Sequence, residues 1–286
     1  MKDSKLFSSL VKGREAADEH MNFRASMGEM WHEETVTDIL CQHAAPYVRP
    51  IRFNQNQEGK VGADWLWWWL DPSGDCFGML VQAKSLKRSG KSWRVDFDYR
   101  GGRQIDSLVQ VAGIFEVPAV YTLYCGDLSY REDLSCGSSL HDSSCSRCFR
   151  AGVSIIDAFG ALRLQRAFPD SVGSYAFQFS SPLEDIANST GSNDWPSGPM
   201  GSTLRQFVTE PKTRAREIAM KIFQVATKTM MVAYAGSSIH QVDAAASYFL
   251  QGWRSQLPAY VREVMSGGSM PPEMRNSIAG IVVLHL

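Results

Sequence analysis

Two apolar runs divided by a polar turn dominate the hydrophobic pattern. Ala63 to Leu70 (ADWLWWWL) and Cys76 to Leu86 flank Asp71-Pro72-Ser73-Gly74-Asp75. Both runs have strand length, and the divider has turn chemistry, so the pair is expected as an antiparallel hairpin. Strand alternation puts Trp65, Trp67 and Trp69 on one face, with Leu66, Trp68 and Leu70 on the other. With both faces apolar, the strand is expected to be covered on both sides, and core packing explains its tryptophans better than base stacking does. The second run is apolar from Phe77 to Val81 and then turns polar at Gln82 and Lys84, which project together while Val81 and Ala83 point the other way. Lysine is rare in a buried strand without a partner.

Around this hairpin the periodicity predicts further elements. Glu29 to His43 reads as a helix. Met27, Met30, Trp31, Glu34, Asp38 and Cys41 share one stripe, which places Glu34 on the largely apolar face and Glu33 on the flank with Val36 and Leu40. Val48 to Asn54 is an expected strand whose Pro50 suggests an edge or a bulge. A short strand is expected at Trp93 to Phe97. Arg103 to Phe115 is an expected helix with Ile105, Leu108, Val109, Ala112 and Phe115 on one face. Ala119 to Tyr124 is an expected buried strand, which makes the preceding helix a crossover onto a mixed sheet. Ser154 to Arg166 reads as helical.

Of the sixteen residues from Ala187 to Ser202, eleven are Ser, Gly, Pro or Asn, the composition of a linker. Lys212 to Tyr234, Val242 to Trp253 and Ala259 to Met265 follow at helical spacing, with Met220, Met230 and Met231 read as core. Ile278 to Leu286 ends the chain as a strand or a buried helical turn. The expected organisation is a core over residues 1–186 with a Cys-rich loop at 125–152, a linker over 187–202, and a mainly helical C-terminal region over 203–286.

Composition narrows the function classes. The 286 residues are 44% hydrophobic and 21% charged, an ordinary globular balance. A formal net charge of −1 means that a nucleic-acid partner would have to be held by a local patch. Such a patch exists: from Lys84 to Arg103 seven basic residues (Lys84, Lys87, Arg88, Lys91, Arg94, Arg100 and Arg103) stand against Asp96 and Asp98. No apolar run reaches transmembrane length and the start is polar, so a cytosolic protein without membrane contact is expected. In a reducing cytosol six cysteines are expected as thiols or metal ligands. Cys136-x4-His141-x3-Cys145-x2-Cys148 has zinc-knuckle spacing, with Cys125 as an alternative ligand. Structural Zn²⁺ and reduced surface thiols are both open readings of that loop, and no helix clearly starts at Cys145 to suggest a redox motif.

A helix with Glu34, a strand opening at Asp64, a strand with Gln82-Ala83-Lys84, then a helix opening at Gln104 and a strand form an ordered constellation. Taken singly, Asp64 caps a strand entry and Gln82 and Lys84 lie on an exposed edge face. Taken together, over residues 25–165, they resemble the PD-(D/E)XK nuclease superfamily in its Gln-x-Lys, Mrr-like restriction endonuclease form. The resemblance implies a restriction-endonuclease-like α/β fold with a mixed central sheet flanked by helices. It implies Mg²⁺ or Mn²⁺ held by Glu34, Asp64 and Gln82, with Lys84 activating water and Gln104 supporting it. Lys87, Arg88, Lys91, Arg94, Arg100 and Arg103 would hold the phosphates of DNA. The implied role is defence against foreign DNA, under a regulatory or targeting protein partner, with oligomerisation left open. The rival is a catalytically inactive relative that binds nucleic acid or protein, Gln82 marking the lost acid.

Overall fold

The computed structural model describes residues 5–53, 65–89, 92–97, 103–133, 145–188, 213–233 and 239–286. Helices α1 (Lys5–Ser26) and α2 (Glu33–His43) lead into strand β1 (Val48–Arg52). The tryptophan strand is β2 (Trp65–Leu70) and the Gln-x-Lys strand is β3 (Cys76–Ser85), followed by a small ribbon, β4 (Lys87–Ser89) and β5 (Ser92–Arg94). Next come α3 (Arg103–Phe115), β6 (Ala119–Tyr124), two short helices α4 (Leu128–Asp133) and α5 (Ser146–Phe149), and β7 (Val153–Asp157). Helices α6 (Ala158–Ala167) and α7 (Val172–Phe179), strand β8 (Ser181–Pro182) and helix α8 (Leu183–Ala187) precede the C-terminal part. That part comprises α9 (Arg214–Ala233), α10 (Ile239–Leu250), β9 (Trp253–Arg254), α11 (Ala259–Met265), α12 (Pro272–Arg275) and β10 (Gly280–His285).

The fold is mixed α/β. Its sheet has eight strands, seven of them in the order β1-β10-β2-β3-β6-β7-β8, with β9 paired to β3. The hairpin is antiparallel, with Trp65 opposite Val81 and Leu70 opposite Cys76. The α3 crossover makes β6 parallel to β3, as the helix-then-strand pattern requires. The two sides of β2 enter different cores. Trp65, Trp67 and Trp69 pack with residues of α1, α2, α9 and α10. Leu66 and Trp68 pack with residues of α3, α6, α7 and α11. β3 lies between β2 and β6, so Gln82 and Lys84 are not on an exposed edge. β1, with its Pro50, is an edge strand.

Several expectations are corrected. α2 starts at Glu33 rather than Glu29. Val153 to Asp157 is strand rather than helix; helix α6 begins only at Ala158, where the Asp157 carboxylate accepts the Gly160 amide hydrogen at 2.7 Å. β10 lies between β1 and β2, parallel to β2, so the sheet draws on both sides of the expected linker. The expected linker lies, beyond Asn188, outside the described residues, as do the side chains of Met230 and Met231, whereas Met220 is buried as expected. Among the described residues no helix is long and apolar enough to cross a membrane.

Helix α1 was not visible in the apolar pattern, because its buried face includes Ser9, Gly13, Arg14 and Asp18. These side chains need tertiary partners. Arg14 pairs with Glu184 at 2.9 Å, and Arg131 pairs with Asp18 at 2.8 Å while also donating to the carbonyls of Cys125 and Phe149. Gly13 lets α1 approach α2 closely: a Cβ there would lie 2.6 Å from the Leu40 carbonyl oxygen.

Candidate active site

The C-terminal ends of the parallel pair β3 and β6 carry the polar cluster. Gln82 and Lys84 face the same side as Cys76 and Leu80, toward α3, as strand alternation requires. Both are buried, with 3% and 8% of their surfaces exposed. The Lys84 ammonium donates to Gln104 Oε1 at 2.6 Å, so β3 and the first turn of α3 are joined at the two residues expected from the sequence. It also lies 5.9 Å from the centroid of the Tyr121 ring on β6. Gln82 Oε1 is buried and has no hydrogen-bond partner among the described residues. An amide oxygen left this way costs free energy unless something binds it, and an oxygen is the ligand a hard cation prefers.

Of the two acids that open α2, the one lying against the end of β3 is Glu33 rather than the expected Glu34. Glu34 is exposed to solvent, whereas Glu33 is half-buried and accepts the Ser85 amide hydrogen at 2.7 Å. The reason is helix phase. The stripe through Met27, Met30 and Trp31 was drawn across residues that precede the helix, and Met27 and Met30 are themselves exposed. The true buried face is Val36, Thr37, Leu40 and Cys41, and Glu33 lies one turn before it. Two further contacts hold α2 and its leading loop on β6: Thr37 and Tyr124 share a 2.7 Å hydroxyl–hydroxyl bond, and the Trp31 ring packs edge-on to Tyr124.

Asp64 lies outside the described residues; the β2–β3 ladder is described from its next neighbour, Trp65, opposite Val81. The basic segment leaves β3 as the β4–β5 ribbon. Lys87, Arg88 and Arg94 are exposed there, with the Arg88 guanidinium 5.7 Å from the Trp93 ring centroid. Lys91 and Arg100 lie outside the described residues, and Arg103 opens α3.

The cysteine loop is only partly described, since Cys136 and His141 fall outside it. Cys145 and Cys148 are buried in the core on the α3 side, and a four-residue helix does begin directly after Cys145. Cys125 is buried as well, and burial pushes its thiol up to about 12. Among the described residues no three His, Cys, Asp or Glu side chains converge on one metal position.

A family model matches residues 7–284, and its description is a family of unknown function, DUF6615. The chain belongs to this family. No curated protein and no solved structure matches it. The DUF6615 match runs from α1 through β10, so the strand that enters the sheet after the expected linker belongs to the same family unit as β3 and its polar cluster.

Two contacts beside the cluster were not in the sequence reading: Glu33 at the Ser85 amide, and Tyr121 beside Lys84. The first could have been found from the charged pair at the true helix start. The second required the β3–β6 register, which no local pattern encodes.

Proposed function

We propose that the protein is a divalent-metal-dependent nuclease that hydrolyses phosphodiester bonds of DNA, on a PD-(D/E)XK-like core. The observation that carries this reading is the buried oxygen of Gln82, without a hydrogen-bond partner among the described residues, one strand repeat from a buried lysine held by Gln104. The order α2, β1, β2, β3, α3, β6, with β6 parallel to β3, supports it at the level of topology.

The donor set fits a hard cation. Gln82 offers a neutral oxygen, Glu33 a carboxylate on the adjoining helix, and Asp64 would add the second acid from the start of the tryptophan strand. Mg²⁺ or Mn²⁺ bound there would polarise a phosphoryl oxygen and lower the pKa of coordinated water. The chain's own part is positional and electrostatic. Gln104 fixes the Lys84 ammonium, which stabilises negative charge developing on the phosphate. Lys87, Arg88 and Arg94 neutralise backbone phosphates on the neighbouring ribbon, which sets register on the strand without reading its sequence.

A plasmid assay with Mg²⁺, Mn²⁺ or EDTA tests the reading. Wild-type protein should cut in a divalent-dependent manner, and Asp64→Ala and Lys84→Ala should each abolish cutting while keeping the fold. Variants that cut at the wild-type rate would remove these residues from the site. DNA binding without cleavage under every metal would replace the enzyme with a binding module.

A further inference from the structure

Tyr121 belongs to none of the roles assigned so far. In the parallel ladder it stands directly beside Gln82, and paired residues of neighbouring strands present their side chains to the same face. Its ring is fully buried and is backed by the Phe97 ring, with centroids 5.0 Å apart. On the same face the Lys84 ammonium lies 5.9 Å from the Tyr121 centroid. The Tyr121 hydroxyl has no hydrogen-bond partner among the described residues. The described contact of Tyr121 with Lys84 is through the aromatic ring.

We propose that Tyr121 is a positioning residue of the site, its ring face and the Gln104 amide together fixing the Lys84 ammonium. A lysine side chain is a compact charge on a flexible four-carbon stem, so each contact that fixes its direction narrows where the ammonium sits. The negative face of an aromatic ring within about 6 Å supplies such a restraint beside the Gln104 amide. Burial pushes the Tyr121 phenol up. Phe97 packs against that ring, which ties the segment following the basic ribbon to the residue beside the ammonium. The purpose of the restraint rests on the nuclease reading; the contact itself does not.

The test keeps shape and changes only the charge on the ring face. Tyr121→Phe should leave thermal stability unchanged or raise it, since the partnerless hydroxyl is removed. Replacing that phenylalanine by its difluoro, trifluoro and pentafluoro analogues should then lower Tm stepwise, by a few degrees over the series. In a Lys84→Met background the same series should give no such slope. As a second readout, the Lys84 ε-methylene resonance should be shifted upfield by the ring in wild type and Tyr121→Phe, and return toward its ordinary position in Tyr121→Leu. Equal slopes in the two backgrounds, or an unshifted wild-type resonance, would overturn the proposal. In the cleavage assay kcat should fall along the fluorinated series with KM unchanged. If the wild type does not cut DNA while the stability coupling stands, the nuclease reading fails and the contact survives.

Discussion

Glu33 reaches across from α2 to the Ser85 amide at the end of β3, while its neighbour Glu34 points into solvent. The two substitutions should therefore separate. Glu33→Gln is expected to weaken Mn²⁺ binding and cleavage by roughly 10–100-fold, the usual effect of altering a group that orients or supplements metal ligands. Glu34→Gln should leave both close to wild type. Calorimetric titration of Mn²⁺ beside plasmid cleavage measures this, and a stronger effect at Glu34 would reverse the assignment. Gln82 and Lys84 were legible in the sequence because a strand has a period of two and needs no phase beyond its own alternation. The contact of Glu33 with β3 was not, because helical phase depends on where the helix begins. Apolar Met27 and Met30 imitated a buried stripe just before that beginning.

At the next scale, the turn between β2 and β3 does more than reverse the chain. Asp71 accepts the Ser73 amide hydrogen at 2.8 Å and the Arg214 amide hydrogen at 2.9 Å, while Thr213 donates to Asp75 at 2.9 Å. The hairpin thus caps the start of α9, at the end of the strands opposite the candidate site. Burial opposes ionisation of Asp71, but the hydrogen bonds from Ser73 and Arg214, with the Arg214 charge, hold its carboxyl below the usual value of 3.8. Because the folded pKa is the lower one, the stabilisation is complete above that usual value. It drains away as the pH falls through the depressed pKa. Asp71→Ala should cost about 1 kcal/mol at pH 7, within the ~0.5–2 kcal/mol known for lost caps. Urea unfolding at neutral and acid pH should show the gap from wild type closing in acid; a gap independent of pH would mean that the charge plays no part. Elements with a regular apolar face, such as α3, β6 and α11, were readable at nearly their true limits. α1 and β7 were not, α1 because it buries arginine and aspartate against distant partners, β7 because its short apolar run leads directly into a helix.

Across the whole molecule, the expected boundary at the linker does not divide the sheet. β10 lies between β1 and β2, and α9 packs in the same core as Trp65, Trp67 and Trp69. A fragment of residues 1–186 should therefore lack a cooperative thermal transition by circular dichroism, although it carries every residue assigned to the candidate site. Cooperative unfolding of that fragment would restore the boundary. The composition of 187–202 suggested a linker, which beyond Asn188 falls outside the described residues. That the chain returns after it to fill a gap in the sheet was not legible, because strand order is set by long-range pairing rather than by local pattern.

The place of β10 also sets an order of events during synthesis. Until residues 280–285 have been made, neither β1 nor the Trp-rich β2 has its partner on that side, and two strand edges stay open. β2 in turn pairs with β3, so the side of the sheet next to the Gln-x-Lys strand is the part completed last. On the proposed nuclease reading, a growing chain would carry the candidate residues on an incomplete sheet, and the cell would meet an assembled site only in molecules whose sheet has closed.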